Sequence, residues 1–155
     1  MYKVLVPLAA SLALATPALA NEGRAEAHGG VIWGGGESRA VLGGALGYDF
    51  DLGPGPGAFV GAEVTADKIL DHDANRVAFG FGGRVGIKAG PSDKVYAAAG
   101  YSTKPCSTCV DSEHAGAGWQ HSFGPLYGKV EYRHYFTNQG APDSDAVVGG
   151  VGVRF

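Results

Sequence analysis

The chain has 155 residues with a formal net charge of −3, and its 27 glycines are more than twice the usual share of roughly 7 %. The glycines follow no G-X-Y period, which excludes collagen, and a hydrophobic content of 45 % excludes a disordered charged tail. With no basic excess, nucleic acid is not an expected partner, and a mean hydropathy of +0.01 is equally what a barrel with one apolar and one polar face would give.

Residues 1–20 read as an export signal. Lys3 supplies the positive start, an apolar stretch runs from Val4 to about Ala15, and Ala18-Leu19-Ala20 forms a small-x-small cleavage site. The stretch is too short for a spanning helix and contains Pro7 and Pro17. Cleavage after Ala20 would leave 21–155 as the folded domain, outside the cytoplasm, where disulfides are permitted.

After Ala20 no uncharged run is long enough for a helical span, and glycine this dense would cost a helix about 1 kcal/mol per residue against alanine. The period is two. In chain order it predicts strands at 27–36, 39–50, 58–68, 76–89, 94–104, 114–123, 126–137 and 145–155. The register of the first is obscured by Val31-Ile32-Trp33. In the second, Leu42, Leu46, Tyr48 and Phe50 oppose Gly43, Ala45, Gly47 and Asp49; in the third, Val60 and Val64 oppose Glu63, Thr65 and Asp67. The fourth is clearest, with Val77, Phe79, Phe81, Val85 and Ile87 against Gly80, Gly82, Arg84, Gly86 and Lys88. Val95, Ala97, Ala99 and Tyr101 share a face of the fifth. In the seventh, Val130, Tyr132 and Phe136 oppose Tyr127, Lys129, Glu131, Arg133 and Tyr135, and in the last Val147, Val151, Val153 and Phe155 oppose Arg154.

Short connections at 51–57, 90–93 and 124–125 alternate with longer polar ones at 69–75, 105–113 and 138–144; the first, around Gly36-Glu37-Ser38, is short. This alternation fits an eight-stranded antiparallel up-and-down transmembrane β-barrel with periplasmic turns and extracellular loops. A lumen this narrow holds only side chains. The large apolar residues are therefore expected to face lipid, with glycine and alanine leaving room inside for a paired network of Glu63, Arg84, Lys88, Lys129, Glu131, Arg133 and Arg154. Trp33, Phe79, Tyr101 and Phe136 fall toward the loop ends, and Tyr48, Phe123 and Phe155 toward the turn ends, as two interfacial aromatic girdles.

The last third carries a G-x-G strand (Gly116, Gly118), a turn into Leu126-Tyr127-x-Lys129-Val130-Glu131-Tyr132-Arg133, and a closing strand Gly149-Gly150-Val151-Gly152-Val153-Arg154-Phe155. It resembles the closing hairpins of the small bacterial outer-membrane barrels of the opacity-like and OmpA/OmpX-like family. The resemblance covers the mature chain in pattern and its last forty or so residues in wording. It implies an integral outer-membrane protein exported through a Sec-type signal peptide, with outer-membrane lipid and lipopolysaccharide as surroundings. It also implies Phe155 as the signal read by the barrel-assembly machinery. His121 stands where the family often has tyrosine, and no peptidoglycan-binding domain follows.

Candidate chemistry is sparse. Cys106 and Cys109 are expected to form a local disulfide in an extracellular loop made acidic by Asp111 and Glu113, an environment that does not activate a thiol. A zinc site from Cys106, Cys109 and His114 lacks a fourth ligand, and His72 between Asp71 and Asp73 reads as part of a solvated acidic loop. Trp119-Gln120-His121-Ser122 invites comparison with barrel lipid A deacylases, but adjacent strand residues point to opposite faces, so His121 and Ser122 do not share a site. His121 and His134 are read as interfacial. The expectation is a monomeric, non-enzymatic barrel without cofactor or metal, serving envelope integrity or surface contact through its loops. A lipid-modifying enzyme, a small pore and a soluble periplasmic ligand-binding barrel are the alternatives.

Overall fold

The computed structural model describes residues 21–53, 57–72, 74–137 and 142–155. The export segment 1–20, and parts of three connections whose lengths entered the sequence argument (54–56, Asp73 beside His72, and 138–141), lie outside the described residues. Eight strands follow one another: β1 (Glu22–Gly34), β2 (Glu37–Asp51), β3 (Ala58–Leu70), β4 (Ala78–Lys88), β5 (Asp93–Ser102), β6 (Ser112–Phe123), β7 (Leu126–Thr137) and β8 (Ser144–Arg154). Each pairs antiparallel with its neighbours, and β1 pairs with β8 from Arg24↔Arg154 to Gly34↔Ser144, closing the barrel. Closure leaves no edge strand whose amides would go unpaired in a medium without water.

The expected strands are all present, with shifted ends. The largest shift is in β1, which begins at Glu22 rather than near residue 27, because Arg24, Glu26 and His28 already alternate with Ala25 and Ala27 in strand register. The first turn is Gly35-Gly36, with φ of 60° and 85°, one step before the expected position. Two successive positive φ values are what a two-residue type I′ hairpin requires. Gly124 (φ 66°) before Pro125 turns β6 into β7. At the seam the closing ladder runs one residue past β8: Gly23 N donates to Phe155 O at 2.8 Å and Phe155 N to Gly23 O at 2.9 Å. The Phe155 ring covers Gly23 so closely that a Cβ there would stand 2.5 Å from it.

Polarity is the reverse of a soluble protein's. Leu46, Val64, Phe79, Phe81, Ile87, Phe123 and Val151 lie on the outer wall, each more than half exposed, while Arg24, Asp49, Gln120, Lys129, Glu131 and Arg133 are buried inside. Water would disfavour both arrangements; a bilayer favours the first and leaves the second to mutual pairing.

The glycines are the other half of this arrangement. A Cβ on Gly47 would stand 2.5 Å from Arg24 Cζ, on Gly118 2.5 Å from Tyr96 Cζ, and on Gly150 3.0 Å from Glu26 Cδ. Inward glycines on neighbouring strands thus form the sockets for the long polar side chains. Gly149, on the outward parity of β8, meets nothing closer than 3.9 Å. Gly47→Val is therefore expected to displace Arg24 and lower unfolding stability in lipid by about 1–3 kcal/mol, whereas Gly149→Val should leave the urea midpoint within error of the parent.

Candidate functional site: the barrel interior and its loop end

The interior divides into a charged lower part, toward the turns, and an apolar upper part, toward the loops. Asp49, fully buried on β2, anchors the lower part. Arg84 grips it with both arms, Nε to Oδ1 at 2.9 Å and Nη2 to Oδ2 at 2.5 Å, and Lys94 Nζ lies 2.9 Å from Oδ2. Arg24 Nε is 3.7 Å from the same carboxylate while its Nη1 meets Glu63 at 2.5 Å. The Arg84 guanidinium lies 4.8 Å from the Tyr96 ring centroid and 5.3 Å from that of Phe59, which adds cation–π attraction to the bidentate pair.

A second layer sits above. Glu131 accepts from Tyr96 Oη at 2.6 Å, faces Lys129 at 3.4 Å and pairs with Arg133 Nε. Glu26 accepts from Tyr127 Oη at 2.9 Å and faces Lys129 Nζ at 2.8 Å. His28 links upward, Nδ1 to Glu26 at 3.0 Å and Nε2 to Asp67 at 2.6 Å. A neutral imidazole donates through one nitrogen only, so satisfying both carboxylates takes the imidazolium.

Of the residues expected to form this network, Glu63, Arg84, Lys129, Glu131 and Arg133 come together inside. Lys88 does not join them; it sits at the turn-end rim on Asp51. Arg154 is also at the rim, between Glu22 Oε2 (3.0 Å) and Gly124 O (2.7 Å), and reaches the network only through Glu22, whose Oε1 takes Lys94 Nζ at 2.8 Å. Sequence reasoning missed Arg24, Glu26, His28, Lys94, Tyr96, Gln120 and Tyr127 as members, and did not assign Asp49 its role. The signal for the first three was present in the alternation Arg24-Ala25-Glu26-Ala27-His28.

Above Arg133 the inward positions of β1–β4 and β8 turn largely aliphatic, while β5, β6 and β7 present Ser102, Ser112 and Tyr135. Ile32, Val41, Ile69, Ala78, Ala146 and Val148 surround a cavity of about 350 Å³ that opens among the loops, with Asp67, Arg133 and Tyr135 also on its wall. The rim carries Cys109 and Pro105 from the β5–β6 loop. Cys106 and Cys109 form a disulfide with Cα atoms 5.0 Å apart, so neither offers a thiolate to join His114 at a zinc ion, and His114 faces Ser102 and Tyr135 instead. Among the described residues no three metal-ligating side chains converge. Arg76 N donates to Pro105 O at 2.9 Å and ties the loop to the β3–β4 connection.

On the outer wall two similar clusters recur. At the turn end Asp93 Oδ1 accepts from Trp119 Nε1 at 2.9 Å and pairs with His121 Nδ1 at 2.8 Å, with Phe123 edge-on to the imidazole at 4.6 Å. At the loop end Asp145 takes Tyr132 Oη at 2.5 Å and His134 Nδ1 at 2.8 Å, with Phe136 again at 4.6 Å. Ser122 is buried inside, across the wall from His121. Trp33, Phe79 and Tyr101 lie at the loop ends of β1, β4 and β5, and Tyr48 at the turn end of β2 beside Phe50 (4.9 Å).

No family model and no curated protein matches the chain. Solved structures do. The N-terminal β-barrel domain of Pseudomonas aeruginosa OprF superposes with TM-score 0.59 at 17 % identity, covering 86 % of this chain and 97 % of that one. Neisserial surface protein A (NspA) gives 0.58 at 14 % identity, covering 87 % and 97 %. A de novo designed transmembrane β-barrel gives 0.57 at 18 % identity, covering 86 % and 96 %. Identities this low speak for the fold alone, and a designed barrel among the matches underlines that the fold carries no function with it.

Two predictions follow from these contacts. Asp49→Asn leaves Arg84 and Lys94 without their counter-charge and should destabilise by about 3–5 kcal/mol, while Lys88→Met, at the rim, should cost less than about 1 kcal/mol; urea unfolding of bilayer-inserted protein reads both. In the β5–β6 loop, hydrogen bonds from Tyr101 and then from the Lys104 amide (2.8 Å) hold the Asp111 carboxyl below its ordinary value. A depressed carboxylate stabilises above its unfolded pKa and loses that contribution as pH falls through the folded one. The amide-exchange protection factor of Lys104 should therefore stay flat as pH falls to the ordinary aspartate value of about 4 and decline only below it, and Asp111→Asn should abolish the step.

Proposed function

We propose that the chain is an integral outer-membrane protein that works without catalysis, as a structural barrel whose loops provide a contact surface. The inverted polarity carries the reading: an apolar outer wall around a charged, self-paired interior is stable only across a bilayer. In bacteria, closed barrels of this size belong to the outer membrane, and an export signal at 1–20 would take the chain there. In this reading Phe155 is the feature recognised by the assembly machinery, the aromatic residues at the strand ends sit at the two interfaces, and lipopolysaccharide and phospholipid surround a monomer.

A pore is disfavoured by the layer of Arg24, Asp49, Phe59, Gln120 and Tyr127, all buried across the lower lumen. A deacylase reading finds no support in the placement of His121 and Ser122 on opposite sides of the wall. For contact, the disulfide keeps the β5–β6 loop compact, and the cross-loop bond from Arg76 fixes it to its neighbour.

The reading is tested on an outer-membrane fraction run on a denaturing gel with and without boiling. The protein should be in that fraction and migrate faster unboiled. Recovery in the soluble periplasm without a heat shift would refute it. Deleting residues 105–113 should preserve the heat shift and reduce surface adhesion or envelope resistance; no change in either would remove the contact role.

A further inference from the structure

The upper lumen poses a question that the barrel's structural role does not answer. Lower down, the interior is filled by pairing long charged side chains with glycine sockets. Near the loops the same inward positions carry Ile32, Val41, Ile69 and Val148, with Val41 directly opposite Ile69, and they do not fill the lumen: a cavity of about 350 Å³ remains. Val148 and Ala146 are 2 % and 1 % exposed, so this part of the wall is held by neighbouring side chains and the space is not a fraying end. An apolar wall around a space open to the loop side is hydrated at a cost that any apolar occupant would relieve. The volume is at the small end of the range of ligand pockets, roughly 300–1,000 Å³.

The cavity floor says what charge the occupant has. Arg133 pairs with Glu131 through Nε and faces Asp67 through Nη1 at 3.7 Å, and Asp67 takes His28 at 2.6 Å. Cation and anion are matched there. Arg39 on the rim is likewise matched by Glu37 and Asp71, so an ionic ligand would bring a charge with no counterpart, while Ser102, Ser112 and Tyr135 on the wall leave a place for one neutral polar group on an otherwise apolar occupant. We propose that the loop-end cavity is a binding site for a small, neutral, predominantly apolar molecule entering from the loop side. This goes beyond the structural and contact role, and requires only the barrel itself.

The sequence offers an internal control. The chain has three isoleucines: Ile32 and Ile69 line the cavity, and Ile87 is on the outer wall. Full-length barrel in phosphatidylcholine nanodiscs, labelled at isoleucine methyls, is titrated with 1-octanol, octanoate and octylammonium. The methyls of Ile32 and Ile69 should shift saturably with 1-octanol while Ile87 drifts only in proportion to octanol dissolved in the bilayer. Both charged probes should bind about tenfold more weakly or worse. Ala146→Leu and, independently, Ala78→Leu fill the cavity from two strands; whichever variant keeps the heat-modifiable barrel should lose the saturable response. The site is refuted if Ile32 and Ile69 merely follow Ile87, or if a folded filled variant responds like the parent. Equal binding of octanoate or octylammonium would overturn the neutral class.

Discussion

The interior rests on Asp49. A carboxylate buried without water is tenable only if its charge is met at once, and here three cations from three other strands converge on it: Arg84 in a fork, Lys94 on one oxygen and Arg24 behind. Because Arg84 and Lys94 come from β4 and β5 and Arg24 from β1, that one side chain fixes the lower cross-section of the barrel. The chain of contacts then runs upward through Arg24 to Glu63, and separately through Tyr127, Glu26 and His28 to Asp67.

The glycine content follows from the same constraint. An eight-stranded lumen has no space for long side chains at every inward position. Each large polar group needs an absent one across from it, which is how Gly47 serves Arg24 and Gly118 serves Tyr96. On the outer face Gly128 and Gly149 have no such duty: a Cβ on either would meet nothing closer than 3.9 Å. Composition, charge pairing and barrel size are thus one solution rather than three facts.

Much of this was legible because a barrel writes its two faces in strict alternation. The parity of β4 and β7 assigned Phe79 and Val130 outward and Arg84 and Lys129 inward without ambiguity, and the structure places them so. What failed did so for identifiable reasons. Val31-Ile32-Trp33 masked the parity of β1, because Ile32 is an inward residue that is apolar, and the strand was begun too late to include Arg24. Lys88 and Arg154 have the correct parity but are the last residues of β4 and β8, at the turn-end rim, and parity does not report depth. The pairings that choose Asp49 as the centre depend on shear between strands, which one-dimensional pattern does not contain. The cavity was illegible for the same reason, since Ile69 and Val148 come together only on closure.

The change of chemistry along the lumen is the clearest sign that the two halves answer different demands. If the interior had only to be filled, the glycine-and-charge solution of the lower half would serve the upper half as well, and Gly43 beneath Asp67 and His28 shows it still operating at mid-height. Instead, from Arg133 upward, the inward side chains of β1–β4 and β8 become largely aliphatic and leave the lumen unfilled. Nearest the loops the interior is nearest water, so this is where apolar lining gains least from folding. Its retention on several strands at once, from Ile32 on β1 to Val148 on β8, makes the apolar mouth a property of the assembled barrel and not of one tolerant position.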